Sequence, residues 1–357
     1  MNHAGRPMTR AVTALLAATM MLGGTGAATA QVAAQTADPD GDIGTQIVGG
    51  QPATQPYAAA AIEYDSTTPA RTDWLNCTGN LLRTYSDIES DWVVTAAHCV
   101  TNLPADVSAA GLSAAGLGDR PDFHAPPVWV PVENRDFHVR AGTVDRSKAA
   151  PVTVKRIVVF SGWDWIADTS PVPREEIPAG DFALMQLASP AKARTVPLAN
   201  WEPRLGFPLR ALGWGRTSND ATTGSMTLQQ LDTRVVPANR CGADGAITVH
   251  DICTDEHKDG KGNCNGDSGG PVIGKVHGRV VQFGIISRGG SDLCAVTPDV
   301  ATGVAYYKPW ADAVTSGKIR SDLPLTAAQG GTIPHPRIPI TTTAPVKLRD
   351  SVPVVTE

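Results

Sequence analysis

The chain has little of what nucleic-acid-binding and membrane-spanning proteins need. Its 30 Lys and Arg residues are outnumbered by 35 Asp and Glu residues, which leaves a formal net charge of −5. A chain-wide positive field that could hold a phosphate backbone is absent, so we predict no nucleic-acid partner. Long apolar runs are also scarce, and the one at residues 11–22 falls short of the about 20 residues that a membrane-spanning helix needs. We predict no membrane anchor.

Helix patterns are scarce as well, and short apolar runs broken by Gly, Pro and Asp take their place. The clearest of these runs are residues 92–95, 152–159, 182–185 and 280–286. Such spacing predicts an all-β sandwich or barrel. Near the end of the body, Pro309 precedes a pattern that puts Trp310 and Val314 on one face. This predicts a short C-terminal helix that begins at the proline.

The two ends differ in composition from the body. Arg6 and Arg10 precede the apolar run, and small residues follow as far as Ala30. This pattern is typical of a secretory signal peptide, which we predict to span residues 1–30. Beyond residue 316, Pro and Thr recur without periodicity, which predicts an extended tail over residues 317–357. We expect a secreted protein, and the style of the signal indicates a bacterial one.

The cysteine content agrees with export. Six cysteines, in a chain with 35 Gly and 28 Pro, are an even number suited to three disulfides. Disulfides persist in an oxidising compartment. Six cysteines permit many pairings, so their number leaves the connectivity open.

One serine and one histidine lie in segments suited to nucleophilic catalysis. Residues 264–271 read CNGDSGGP, and TAAH ends at His98. A serine hydroxyl becomes a nucleophile at neutral pH only where a base takes its proton, and imidazole is suited to that task. Ser268 and His98 are the candidates. Glycines around the serine allow a tight turn with outward N–H groups, and those of Gly266 and Ser268 would form an oxyanion hole.

Four segments in a fixed order resemble the trypsin/chymotrypsin family of serine endopeptidases. They are IVGG at 47–50, TAAHC at 95–99, GDFAL at 180–184 and GDSGGP at 266–271. The resemblance covers residues 47–316. It implies two packed six-stranded antiparallel β-barrels, with an active site in the cleft between them and a triad of His98, Asp181 and Ser268. It also implies protein or peptide substrates, a monomer, and a reaction without a cofactor or a metal.

The resemblance further implies a disulfide pairing and a mode of activation. The implied pairs are Cys77–Cys99, Cys241–Cys253 and Cys264–Cys294. Residues 31–46 would be a propeptide, and the freed amino group of Ile47 would pair with Asp267 beside the nucleophile. The bond to be cut follows Gln46, whereas most relatives are activated after Lys or Arg. We therefore predict that a different protease performs this cleavage.

The segment after the nucleophile carries further family positions. Ser287 resembles the family serine that hydrogen-bonds the triad aspartate. Arg288 replaces the aromatic residue that often follows this serine, which alters the neighbouring subsite. Gly289 leaves the entrance of the specificity pocket open.

The specificity pocket lacks the carboxylate that trypsin-like members have at the first of its positions. Gly262 stands six residues before the nucleophile, where trypsin-like members have Asp. An ungapped match from Pro298 to Trp310 puts Asp299 where a glycine usually lies at the base of the pocket. A carboxylate there could supply the missing charge, so we favour cleavage after Arg or Lys with broadened tolerance. If Asp299 instead faces water, the pocket is neutral and suits apolar side chains.

Two other functions are compatible with part of this pattern. GDSGG also fits the G-x-S-x-G elbow of α/β-hydrolases, which would make the chain an esterase. In that fold the histidine follows the serine, and only His277 and His335 do so here. The other alternative is a catalytically silent, protease-like binding protein, although such relatives usually lack a triad member and all three are present here.

Overall fold

The computed structural model of the full chain describes residues 47–102, 130–132, 134–160, 163, 180–242, 247–255 and 260–318. The predicted signal peptide and propeptide, Gln46, and the tail beyond residue 318, which includes His335, lie outside these residues. Within the described ranges, no helix has the length and apolarity that a membrane crossing requires.

Strands make up most of the regular secondary structure of the described chain, and an α-helix follows them. In chain order they are β1 (Gln51–Pro52), β2 (Ala59–Thr67), β3 (Ala70–Leu81), β4 (Ser90–Thr95), β5 (Thr101–Asn102), β6 (Val130–Pro131), β7 (Asp136–Ala141), β8 (Val152–Val159), β9 (Ala183–Ala191), β10 (Pro208–Gly213), β11 (Gln229–Arg234), β12 (Asp251–Thr254), β13 (Pro271–Val276), β14 (Arg279–Gly289), β15 (Asp299–Gly303) and α1 (Val304–Thr315).

The first half of the chain forms a closed barrel. Its strands follow the order β2–β3–β4–β9–β8–β7, and each neighbouring pair is antiparallel. The apolar run of β4 is buried without alternation at Trp92, Val93 and Val94. A run of this kind is typical of a strand that is covered on both faces. His98 and Asp181 stand at the ends of two paired strands of this barrel, β4 and β9.

The second half forms a sheet with the order β1–β11–β10–β13–β14–β15–β12. A single antiparallel bridge between Val235 and Thr254 brings the far ends of β11 and β12 together, and Val236 N donates to Cys253 O at 2.9 Å beside it. Six strands are thereby drawn into a half-barrel, and β1 adds an edge strand. The predicted all-β fold of two packed barrels is confirmed, the second of them as a half-barrel. Its antiparallel pairing differs from the strand–helix alternation that an α/β-hydrolase requires.

The C-terminal helix is also confirmed, but it begins earlier than predicted. It starts at Val304, after Gly303, and Pro309 lies inside it. Val304 and Tyr307 are fully buried, and the Tyr307 ring stacks on Phe182 with centroids 5.1 Å apart. A proline inside a helix removes one backbone hydrogen bond. The prediction took Pro309 as a start signal, whereas apolar packing extends the helix towards its N-terminus.

Three disulfides cross-link the described chain, and their pairing is the one that the resemblance implies. Cys77–Cys99 lies beneath the turn of His98, Cys241–Cys253 closes a short loop, and Cys264–Cys294 joins the segment of Ser268 to the opposite pocket wall. Among the described residues no cysteine is free.

A buried carboxylate in the first barrel is held by cationic side chains. Glu63 on β2 accepts a hydrogen bond from Arg140 Nε at 2.7 Å, pairs with Arg146, and lies 3.3 Å from His138 Nε2. Only 1% of its side chain is exposed. Burial would raise the pKa of Glu63, but the hydrogen bonds from His138, Arg140 and Arg146 together lower it. The carboxylate therefore stays ionised at neutral pH.

Replacing this carboxylate should destabilise the fold strongly. Glu63→Gln keeps the side-chain volume but leaves the buried guanidinium of Arg146 without a counter-charge, and Arg140 keeps only its pair with Asp73. We expect a loss of about 3–5 kcal/mol in the free energy of unfolding, measured by urea denaturation. The control is Asp232→Asn, which breaks a pair with Arg210 at a carboxylate that is 65% exposed and should cost less than about 1 kcal/mol. Equal small losses for both variants would contradict this prediction.

Candidate active site

His98 and Asp181 are joined by two hydrogen bonds. His98 lies in a 3-10 turn, Ala97–Cys99, just beyond the end of β4. Its backbone N donates to Asp181 Oδ1 at 2.9 Å, and its ring Nδ1 lies 2.8 Å from Asp181 Oδ2. Because the ionised carboxylate only accepts, Nδ1 carries the proton in the neutral ring and Nε2 is left as the basic nitrogen.

Asp181 is buried just before β9, and its charge is stabilised from several sides. The Ser287 hydroxyl donates to Asp181 Oδ2 at 2.5 Å. Burial alone would raise the pKa of Asp181, but the positive charge and hydrogen bonds of His98 and the hydroxyl of Ser287 outweigh it and lower the pKa to about 2. The carboxylate is therefore anionic throughout the neutral range.

Ser268 lies in a tight turn that packs against the segment leading into His98. Its carbonyl accepts from Thr78 N at 2.9 Å, and Gly269 N donates to Ile286 O at 2.7 Å. Gly269 has φ +79°, and a Cβ there would lie 2.1 Å from Thr95 Oγ1 and 3.1 Å from Ala96 N. Only glycine fits this contact, which brings the turn of Ser268 against the two residues that precede the histidine turn.

Two backbone N–H groups beside Ser268 are available to a ligand. Among the described residues, the N–H groups of Gly266 and Ser268 donate to no other group. Gly266 has φ +98°, and its carbonyl is turned to the Thr78 hydroxyl at 2.9 Å. Ser268 itself is half-buried at the wall of a pocket. An oxyanion hole requires backbone N–H groups that have no internal acceptor, and these two N–H groups meet that condition over the described stretches of the chain.

The pocket beside Ser268 has a carboxylate in its wall. Ser287, Gly289 and Asp299 are among its lining residues. Asp299 Oδ2 accepts from the backbone N and side-chain Nδ2 of Asn263 at 2.9 and 3.0 Å. A Cβ on Gly262 would lie 3.3 Å from this same oxygen. Burial raises the pKa of Asp299 to about 7, against the lowering effect of the Asn263 backbone N–H.

Asp267 and Ile47 are both fully buried. The carboxylate of Asp267 accepts from Gly215 N at 2.8 Å and from Cys264 N at 2.9 Å. Burial raises its pKa to about 7 in spite of these two donors. Within the described part of the chain no cation pairs with Asp267. Ile47 is still joined to Gln46 in this chain, so it has no free ammonium group to offer.

Two features of the site could not be found from the sequence. Asn263 holds Asp299, and Asp251 on β12 pairs with Arg288 on β14. Neither Asn263 nor Asp251 belongs to a recognisable motif. The two contacts join residues that are 36 and 37 positions apart in the chain. No local sequence pattern therefore predicts them.

Comparisons with known proteins point to one family. The family model described as Trypsin matches residues 130–311. The matched region contains Asp181 and Ser268 and begins after His98.

Individual relatives agree with this match. Melanization protease 1 of Drosophila melanogaster is 27% identical over 295 residues, which cover 75% of this chain and 65% of that protein. Brachyurin of Leptuca pugilator is 29% identical over 240 residues, with coverage of 67% and 87%. Trypsin-like protease of Streptomyces glaucescens is 24% identical over 268 residues, with coverage of 73% and 80%. The chain thus matches just under two thirds of the first of these relatives.

A solved structure has the same fold. Neuropsin, a serine protease expressed in the limbic system of mouse brain, superposes with a TM-score of 0.51 at 23% identity. The match covers 74% of this chain and 96% of that chain.

Proposed function

This chain belongs to the trypsin family of serine proteases, and from that premise we propose that it hydrolyses peptide bonds in proteins through a triad of Ser268, His98 and Asp181. The observation that carries the proposal is the double hydrogen bond between Asp181 and His98, next to the turn of Ser268. This supports an endopeptidase, because Asp181 fixes the tautomer of His98 and the turn of Ser268 packs against the two residues that precede the histidine turn.

The reaction follows from the protonation states of these groups. Nε2 of His98 accepts the proton of the Ser268 hydroxyl as the oxygen attacks the peptide carbonyl, and Asp181 stabilises the imidazolium that forms. The N–H groups of Gly266 and Ser268 bind the oxyanion of the tetrahedral intermediate. His98 then returns the proton to the leaving amine, and water releases the acyl group from Ser268 by the same route.

We propose cleavage after Arg or Lys, with tolerance for other side chains. The support for this is the carboxylate of Asp299 in the wall of the pocket, where a Cβ on Gly262 would lie 3.3 Å from its Oδ2. It offers a counter-charge to a substrate cation from beside position 262, where trypsin-like members have Asp. Gly262 and Gly289 add no side-chain volume, which leaves room for larger residues.

The preference for cationic residues should depend on pH. Because the pKa of Asp299 is raised to about 7, the pocket is neutral well below that pH and negative well above it. The ratio of kcat/KM for an Arg substrate to that for the matched Phe substrate should rise from about pH 6 to about pH 8. The titration of His98 cancels in this ratio, since both substrates use the same base. A ratio that stays constant over this range would contradict the assignment.

We also propose that the protein is exported and activated by another protease. Three disulfides support export, since they persist in oxidising compartments. Burial of Asp267, which pairs with no cation among the residues that the structure describes, supports activation, because a new ammonium group at Ile47 would supply a partner. Amino-terminal sequencing tests the cut site and should find Ile47 first. Release of Ile47 by the mature enzyme acting alone would contradict a separate activator.

Labelling of the nucleophile tests the proposed chemistry. Processed protein treated with a sulfonyl fluoride should lose activity and carry the label on Ser268, located by peptide mass spectrometry. Labelling carried out at a pH that protonates His98 should be slower, because the serine then lacks its base. An unlabelled Ser268 in correctly processed protein would refute the hydrolytic assignment and favour a binding protein.

A further inference from the structure

Arg288 follows the Ser287 that hydrogen-bonds the triad aspartate, and its guanidinium is turned inward. Its NH2 pairs with Asp251, and its NH1 donates to Ser287 Oγ at 2.9 Å. Only 10% of the Arg288 side chain and 1% of the Asp251 side chain are exposed. A cation this deeply buried is stable only with a paired carboxylate.

The strand geometry explains how two consecutive residues can touch. In a regular strand, neighbouring side chains point to opposite faces. The pairing of β14 with β15 shifts register here, because Ile286 opposes Ala301 while Arg288 opposes Val300. Ser287 is the extra residue of this β-bulge, and a bulge re-aims the side chains beside it. Ser287 can therefore reach Asp181 while Arg288 reaches Ser287.

The hydrogen-bond capacity of the hydroxyl then decides its orientation. A serine hydroxyl has one proton to donate and two lone pairs to accept with. Since Arg288 donates to Ser287 Oγ, the hydroxyl proton is left for Asp181, where the Ser287–Asp181 distance is 2.5 Å. A donor that is itself polarised by a cation makes a stronger hydrogen bond.

The far end of this network is anchored as well. Asp251 Oδ2 accepts from the backbone N and the hydroxyl of Thr248 at 2.8 and 2.6 Å. The chain of contacts runs from Thr248 through Asp251, Arg288 and Ser287 to Asp181. It connects the loop before β12 and β12 itself to the acidic member of the triad.

We propose that Arg288 is a positioning residue for the catalytic carboxylate: paired with Asp251, its guanidinium holds the Ser287 hydroxyl as the donor to Asp181. This inference rests on the proposed function of the triad. It gives the arginine at this position a role in orienting Asp181, and through it His98, where relatives often have an aromatic residue.

A double-mutant cycle in the processed protein tests the proposal. Arg288→Lys keeps a positive charge beside Asp251. A single ammonium group cannot donate to both Asp251 and Ser287 as the planar guanidinium does. We expect kcat to fall by about tenfold, with KM changed by less than about twofold. On a Ser287→Ala background, Arg288→Lys should change kcat by less than about twofold, because the hydroxyl that it orients is already gone. Arg279→Lys, an exposed change at the start of the same strand, is the matched control.

The pH dependence of kcat/KM distinguishes a positioning role of Arg288 from a purely structural one, because loss of stability alone would not shift it. Weaker donation to Asp181 leaves more of its negative charge for the imidazolium, so the acid limb of kcat/KM should move to higher pH in Arg288→Lys. Equal effects of Arg288→Lys with and without Ser287 would overturn the proposal. So would a change in KM alone, confined to substrates with acidic residues near the cut site, because that would make Arg288 a substrate contact.

A spectroscopic measurement separates this inference from the proposed function. In the full chain carrying Ser268→Ala, before and after cleavage at Ile47, the low-field proton resonance of His98 Nδ1–H reports its hydrogen bond to Asp181 without any turnover. Arg288→Lys should shift this resonance, and Arg279→Lys should not. An unmoved resonance overturns the inference even if the enzyme is active. A shifted resonance, combined with no peptide hydrolysis by the processed chain that keeps Ser268, upholds the inference and refutes the proposed function.

Discussion

Ser268→Ala should lower kcat of the processed protein by about 10⁶-fold, as the removal of a serine-protease nucleophile does. The alanine lacks the hydroxyl that forms the acyl intermediate, while His98 and Asp181 keep their hydrogen bonds. Residual hydrolysis about 10³-fold to 10⁴-fold above the rate in water would come from the oxyanion hole and substrate binding alone. Initial rates on a peptide substrate measure the loss.

The fold of the Ser268→Ala variant should remain intact. Its carbonyl contact with Thr78 N is made by the backbone and survives the substitution. The thermal unfolding midpoint and the dissociation constant of a non-covalent peptide inhibitor should therefore stay near those of the wild type. Ser316→Ala, an exposed serine at the end of α1, serves as the control and should retain full activity. More than about 1% residual kcat in the Ser268 variant would rule out this serine as the nucleophile.

Asp299→Gly should remove the preference for cationic substrates. Two unit charges about 4 Å apart at an effective dielectric constant of about 20 attract by about 4 kcal/mol. This corresponds to a loss of up to about 10³-fold in kcat/KM for Arg and Lys substrates. Substrates with Phe or Leu at the same position should lose little, because they make no use of the charge. A peptide library with a varied residue before the cut site measures both effects at once.

A second substitution can return a negative charge to the pocket at the neighbouring position 262. Gly262→Asp on the Asp299→Gly background should restore most of the cleavage after Arg and Lys. A Cβ at position 262 would lie 3.0 Å from Ala295 Cα, so the backbone there must yield by a few tenths of an ångström. Asp232→Asn, an exposed carboxylate in the same barrel, controls for a simple change of net charge. Unchanged cleavage after Arg in Asp299→Gly would mean that this carboxylate does not face the substrate.

The all-β class and the candidates His98 and Ser268 could be predicted from the sequence because local segments carry the pattern, whereas the choice of Asp181 rested on the family resemblance. Short apolar runs between glycines and prolines predict strands wherever they lie in space. The segments around His98 and Ser268 carry their own turn chemistry, and Gly269 shows why, since a Cβ there would meet Thr95 Oγ1 at 2.1 Å. The start of α1 was misjudged because burial of Val304 and Tyr307 outweighs the local start signal at Pro309.

The side-chain environment of the site could not be read in the same way. Arg288 stands out in the sequence only as a departure from an aromatic residue. Its pairing with Asp251 depends on the β-bulge at Ser287 and on both strands flanking β15. A bulge changes which side chains share a face, and its position depends on the packing of a whole sheet. The raised pKa of Asp299 likewise comes mainly from burial, which is a property of the assembled fold.

By itself, the order of the amino acids determined which chemical groups this protein has and which backbone turns hold them: a serine between glycines, a histidine in a tight turn, an aspartate before a strand, and six cysteines. Only the tertiary structure decided how those groups are charged and oriented. The pKa of Asp181 is lowered to about 2, while the pKa values of Asp267 and Asp299 are raised to about 7. The reason is physical: all three carboxyls are buried, but only Asp181 has the charge of His98 and the Ser287 hydroxyl beside it, and those partners come from distant parts of the chain.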